Sequence, residues 1–227
     1  NYDHIPKITW FPPLSLALKS ADIKTTAKRV LYIKGAGDNV AAMIRQLGVI
    51  TDEIDAPKLE ELQLENYDAI ITGIRAYNTS PDLPKYFDKI KSYIAAGGIY
   101  LVQYNTNNNL HPVQFMAPSP YQISRNRVTE ENATVRFLVP DHPLLNTPNK
   151  ITENDFKGWI QERGLYFATK IDSSYQNILM MHDEGEPDQE GSLIVTKYGK
   201  GTYIYTGLSF FRQLPAGVTG AFRLFAN

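Results

Sequence analysis

The sequence predicts a doubly wound α/β fold with a mostly parallel sheet, an inserted irregular segment and antiparallel strands near its carboxyl end. Short segments able to form strands recur at Val30 to Ile33, Val49 to Ile54, Asp68 to Thr72 and Ile99 to Tyr104, and helix-spaced segments separate them. Parallel neighbours need such crossovers, because a tight turn joins only antiparallel strands. With 227 residues, 43% hydrophobic and 21% charged, the chain holds enough apolar material for one large core with helices on both faces of the sheet.

Asn1 to Lys28 carries Pro6, Pro12 and Pro13 among scattered apolar residues with no sustained period, so residues 1–28 are expected to form an extended lead-in and residues 29–227 the domain. The strand Val30 to Ile33 runs into the turn Gly35-Ala36-Gly37-Asp38-Asn39 and then a helix over Val40 to Leu47, which Gly48 closes. Val49 to Ile54 supplies a second strand, Leu59 to Leu64 a short helical piece, and Asp68 to Thr72 a third strand that stops at Gly73. Over Asp82 to Ala96, Leu83, Tyr86, Phe87, Ile90 and Ile94 share one helical face, and Gly97-Gly98 ends that helix before the strand Ile99 to Tyr104. Residues 106–177 loosen into Pro- and Asn-rich sequence around Val135 to Val139, expected to be an insertion or cap. Strands return at Ile178 to Met181, Ser192 to Thr196 and Thr202 to Thr206, the last two joined by a hairpin turn at Tyr198-Gly199-Lys200-Gly201. The first residue is Asn, and Ala216 to Asn227 reads as a helix interrupted by the chain end, so an excised segment of a longer protein is expected.

The 23 basic and 24 acidic side chains leave a net charge of −1, so no general attraction draws the chain to nucleic acid or anionic lipid. Ser92 to Ser124 is the longest charge-free stretch, yet Gly98, Gln103, several prolines and the Asn105 to Asn109 cluster break it well short of a membrane span. The lack of cysteine removes thiol nucleophiles, thiolate ligands and disulfides together. His4, His111, His142 and His182 have no metal-binding spacing, and none adjoins a serine in a nucleophile elbow. No metal or cofactor is expected.

Ligands of open parallel sheets gather outside the carboxyl ends of the strands. Gly35-Ala36-Gly37-Asp38 lies where a phosphate cradle would, but Val40 stands in place of the third glycine of a dinucleotide fingerprint, and a plain turn with Asp38 or Asn39 as helix cap is expected. Gly73-Ile74-Arg75-Ala76-Tyr77-Asn78 and Asn105-Thr106-Asn107-Asn108-Asn109 bring a cation, a phenol and several amides, which hydrogen-bond hydroxyl groups and suit carbohydrate better than phosphate. Arg75, Tyr77, Asn105 and Asn107 are therefore candidate ligand-binding residues; the alternative is that the amides cap turns and Arg75 pairs locally. Arg163 and Arg212 are supporting candidates, each among aromatics (Trp159 and Tyr166; Phe210 and Phe211), where an arginine lies on a ring, pairs with a buried carboxylate or meets a ligand. Asp141-His142-Pro143 reads as a turn capped by Asp141, and His182-Asp183-Glu184 as a solvated loop.

Gly97-Gly98-Ile99-Tyr100-Leu101-Val102, Asp141-His142-Pro143-Leu144-Leu145 through Tyr166, and Gly199-Lys200-Gly201-Thr202-Tyr203-Ile204-Tyr205-Thr206-Gly207-Leu208 resemble the ThuA-like branch of the class I glutamine amidotransferase-like fold. The likeness spans about Arg29 to Leu208. Tyr2-Asp3-His4-Ile5-Pro6, the Gly73 to Asn78 loop, Gly158-Trp159-Ile160-Gln161-Glu162-Arg163-Gly164 and Ser209-Phe210-Phe211-Arg212-Gln213 resemble the carboxyl-terminal region of large bacterial PIG-L (LmbE-like) deacetylase proteins. The resemblance implies a flavodoxin-like sheet and, in the parent chain, an amino-terminal zinc-dependent N-acetyl sugar deacetylase domain as partner. A periplasmic or other extracytoplasmic location in a bacterium is expected.

Departures from both families bear on activity. The Ala-His-Pro-Asp-Asp motif of the deacetylases has no counterpart, since Leu144 follows His142-Pro143, so neither zinc nor deacetylation carries over. Where the amidotransferase cysteine would follow the Gly98 to Tyr104 strand, the chain reads Tyr104-Asn105-Thr106, and the Gly-His common after the last ThuA-like strand is replaced by Leu208-Ser209-Phe210. The expected function is a non-catalytic accessory domain that binds carbohydrate or packs on the deacetylase domain. The alternatives are a ThuA-like sugar-modifying enzyme using Glu162 or His182 as acid or base, and a purely structural module.

Overall fold

The computed structural model describes residues 11–13, 20–107 and 117–227. The first half alternates strand and helix: β1 (Arg29–Ile33), α1 (Val40–Gln46), β2 (Ile50–Ile54), β3 (Ala69–Thr72), α2 (Ala76–Thr79), α3 (Phe87–Ala96) and β4 (Ile99–Gln103). Then come β5 (Gln122–Ile123), β6 (Arg127–Val128), β7 (Val135–Phe137), α4 (Pro143–Asn146), β8 (Gly164–Leu165), β9 (Ala168–Thr169), β10 (Gln176–Asn177) and β11 (Leu179–Met181). The chain closes with β12 (Leu193–Tyr198), β13 (Gly201–Thr206), α5 (Phe210–Gln213) and α6 (Thr219–Ala226).

Seven strands form the central sheet in the order β10-β12-β13-β4-β3-β1-β2. β13, β4, β3, β1 and β2 run parallel, β12 pairs antiparallel with β13, and β10 antiparallel with β12. Alternate side chains along each strand feed two cores, as a period of two requires. Val30, Ile71 and Ile204 pack with α1 and α6 on one face, while Leu31, Ile70, Tyr100 and Tyr203 pack with α3 on the other. The fold is thus doubly wound, with the order of connection reversing between β1 and β3.

The helical stretch expected over Asp82 to Ala96 divides into a 3-10 turn, Leu83–Tyr86, followed by α3. The piece expected at Leu59 to Leu64 is likewise two 3-10 turns, Ala56–Glu60 and Leu64–Asn66. Between β4 and β10 the described chain builds three two-stranded antiparallel ribbons, β5 with β9, β6 with β8, and β7 with β11; β11 itself lies just past β10. These ribbons sit over the carboxyl end of β13, where Leu165 N donates to Gly207 O at 2.8 Å.

Two local expectations are corrected. His142, not Asp141, caps α4, its Nδ1 accepting from Leu144 N at 3.2 Å. Asp183 is buried rather than solvated, because its carboxylate accepts from Thr129 N, Thr129 Oγ1 and Glu130 N at 2.8 to 2.9 Å and holds the 129–130 turn. Of the lead-in, residues 20–28 run without helix or strand until Arg29, and Asn149 exchanges two hydrogen bonds with the Lys24 backbone. A groove of about 720 Å³ lies over the starts of β3, β4 and β13, floored by Ala69, Ile71, Ile99, Leu101 and Ile204.

Candidate functional site

The reversal point between β1 and β3, the usual ligand crevice of such sheets, is filled by its own backbone. Ala36 N donates to Ile74 O at 2.8 Å, and a Cβ on Gly35 would sit 2.1 Å from that oxygen. Asp38 completes the closure: Oδ2 accepts from Ile74 N at 3.1 Å, and Oδ1 from Val40 N at 2.9 Å and Tyr32 Oη at 2.6 Å. The Gly35 to Asp38 loop is therefore a packed turn whose carboxylate also serves the start of α1.

The loops after β4 and β13 build a different surface. Tyr104, directly after β4, stacks on Tyr166 with ring centroids 5.6 Å apart and an 8° interplanar angle, and meets Phe211 of α5 at 5.3 Å. Arg212 lies over the Phe211 ring at 4.8 Å and pairs with Glu162, Nε to Oε1 2.9 Å. Arg75, which precedes α2, donates its N–H to Tyr104 O at 2.8 Å and projects an exposed side chain. Tyr104 is buried, and burial pushes its phenol above the ordinary value, while the charges of Arg75 and Arg212 draw it down and that of Glu162 pushes it up. Tyr166 and Phe211 are half-exposed. The result is an aromatic shelf centred on Tyr104, with Arg75 and the Arg212–Glu162 pair close enough for their charges to act on its phenol.

Backbone strain concentrates here. Among the described residues, four that are not glycine have positive φ, and three of them, Arg75 (56°), Gln161 (66°) and Tyr166 (58°), belong to the shelf or its supporting loop. Left-handed conformations cost such residues on the order of 1–2 kcal/mol each and persist where the surroundings dictate them. The surroundings are identifiable. Gln213 accepts from Ile160 N at 2.8 Å and donates to Ile160 O at 2.8 Å, and Ser209 Oγ donates to Glu162 O at 2.8 Å. Tyr205 Oη donates to Tyr166 O at 2.5 Å. A Cβ on Gly164 would meet Gly207 O at 2.4 Å, so only glycine lets the 160–166 segment lie this close to the end of β13.

The structure distributes the six candidate residues unequally. Arg75 and Arg212 stand at the shelf. Tyr77 is 4% exposed, and its hydroxyl meets that of Tyr100 at 2.9 Å. Asn105 is fully buried at the bend after β4, accepting from Tyr77 N at 3.0 Å and donating to Gln103 O at 3.1 Å, so its amide clamps two loops rather than facing solvent. Asn107 is exposed and donates to Ile123 O at 2.9 Å. Arg163 is 4% exposed, lies over the Phe156 and Trp159 rings, and donates to the carbonyls of Ala133 and Phe156; burial draws its guanidinium down to about 10. Asn108, Asn109, His4 and His111 lie outside the described residues. His182 pairs with Asp188 at 2.8 Å beside the β7–β11 ribbon. Among the described residues, no three His, Asp or Glu side chains are placed to hold a metal ion, and no helix is long and apolar enough to cross a membrane.

Comparison with solved structures bears on the fold. The chain is similar to PurLQS from Thermotoga maritima, with TM-score 0.55 and 14% identity over 88% of this chain and 96% of that one. The chain has the class I glutamine amidotransferase-like fold. A cytoplasmic protein of Salmonella typhimurium LT2 shares it at TM-score 0.53 and 14% identity, covering 87% of this chain and 98% of that one. The cold-adapted β-galactosidase of Rahnella sp. R3 shares it at TM-score 0.50 and 16% identity over 91% of this chain, which corresponds to 31% of the galactosidase. No family model matches the sequence, and no curated protein matches it.

Proposed function

We propose that this amidotransferase-like domain binds carbohydrate without catalysing its conversion, as a ThuA-like, extracytoplasmic appendage of a PIG-L-type sugar deacetylase. One observation carries the reading: the half-exposed rings of Tyr166, on strained backbone, and Phe211, beside arginine and carboxylate, at the carboxyl edge of the sheet. Aromatic faces take the C–H face of a sugar ring, and guanidinium and carboxylate groups take its hydroxyls. At the bend where the fold's enzymes carry a thiol, Asn105 spends its amide inside the protein. The deacetylase context comes from the sequence resemblance alone.

Isothermal calorimetry against a broad oligosaccharide panel tests the reading, with Tyr166→Ala expected to abolish the heat. If no sugar gives heat with the intact chain, carbohydrate binding is wrong, and docking of the same shelf on a deacetylase domain takes its place. Glu162 favours an enzymatic reading, since its carboxylate is at the shelf. Sugar turnover that Glu162→Gln abolishes while binding persists would establish that reading instead.

A further inference from the structure

We propose that the shelf selects acidic glycans and that Arg75 pairs with the carboxylate of a uronate unit, an inference that rests on the carbohydrate reading above. The three candidate arginines differ in their commitments. Arg163 is buried on backbone carbonyls, and Arg212 is held by Glu162 and the Phe211 ring. The Arg75 guanidinium makes no hydrogen bond or ion pair among the described residues.

Its base is nevertheless fixed. Arg75 N donates to Tyr104 O, and Arg75 O accepts from Asn78 N at 2.9 Å and Thr79 N at 3.0 Å, all with φ at 56°. Glycine would take that conformation without strain, so the position keeps a long cationic side chain against a backbone cost. Arg212 and Glu162 cancel one another, which leaves Arg75 as the uncompensated charge of the shelf. A neutral sugar offers this guanidinium only neutral acceptors. A carboxylate offers two oxygens matched to its fork, the stronger and more directional partner. A ring stacked on Tyr166 or Phe211 with an equatorial carboxylate at its edge satisfies both features together.

The probes are trigalacturonate, its methyl ester and neutral galactotriose, titrated calorimetrically into the intact chain at low salt. Trigalacturonate is expected to bind at least about tenfold tighter than its ester, the effect of one charge-assisted pair. Arg75→Gln should remove that preference with an unchanged melting temperature, and Arg75→Lys should keep part of it. Tyr166→Ala should weaken acid and ester alike. Equal affinity for acid and ester, or a preference that survives Arg75→Gln, overturns the inference and leaves carbohydrate binding standing. No heat from any sugar in the wider panel overturns both.

Discussion

Replacing Arg163 by alanine leaves the carbonyls of Ala133 and Phe156 without the guanidinium that now serves them, in a buried site beside the Trp159 ring. Such a loss costs about 2–4 kcal/mol, and urea unfolding should show it as a lowered midpoint. Arg75 has the opposite surroundings. Arg75→Gly relieves a left-handed backbone and gives up no side-chain hydrogen bond among the described residues. Stability should therefore be unchanged or raised by up to about 1 kcal/mol, while sugar binding falls. A variant more stable and less able to bind is the signature of strain kept for a ligand; a marked loss of stability would assign Arg75 to the framework.

The segment carrying Glu162 to Tyr166 reaches the shelf because β8 lies against the end of β13 with nothing but hydrogen between the backbones. Gly164→Ala places a methyl group 2.4 Å from Gly207 O and 2.9 Å from the Phe167 ring. It should cost about 1–3 kcal/mol and weaken sugar binding through displaced Tyr166 and Glu162. Gly185→Ala, where a Cβ meets nothing within 4 Å, should cost only the backbone strain of its positive φ and leave binding intact; calorimetry and urea unfolding of the two variants separate these effects. The same contrast explains what could be read in advance. β1, β3, β4, β12 and β13 announce themselves because short segments rich in apolar residues end at glycine or a polar turn, whereas β2, Ile-Thr-Asp-Glu-Ile, is legible mainly from its place between α1 and β3. β5, β6, β8 and β9 have two residues each, and their register comes from distant grips such as Asp183 on Thr129 and Arg163 on Ala133. Arg75 is legible from its loop at the carboxyl end of β3, and Arg212 as a cation beside rings. Tyr104, Tyr166 and Phe211 are not, since among 14 Tyr and 10 Phe no local spacing tells which rings stay half outside. Asn105 misleads for a related reason: a polar side chain after a strand turns inward when a buried N–H, here that of Tyr77, needs an acceptor.

Across the molecule, buried phenols form a layer on the α3 face of the sheet, where Tyr77 meets Tyr100 and Tyr121 meets Tyr203 at hydroxyl distances of 2.9 and 2.8 Å. Burial pushes all four well above the ordinary 10.0, and pushes Tyr93 up to about 12. A raised folded value means that the unfolded chain ionises first, so this stabilisation is complete below pH 10 and is lost as pH climbs beyond it. Each such tyrosine steepens the fall by about 1.4 kcal/mol per pH unit. Unfolding midpoints should drop sharply between pH 10 and 11, with the last part of the phenolate absorbance, that of the buried layer, appearing together with loss of structure; ionisation of all 14 tyrosines near pH 10 in the folded protein would refute this. At the opposite pole of the design stands the seam between β1 and β3, knotted by Ile74 O and Asp38. With no vacancy there, flavin and nicotinamide nucleotides should leave the melting temperature unmoved, and selectivity can evolve only along the rim, by exchanging side chains at 75, 162, 166 and 212 while the backbone beneath stays sealed.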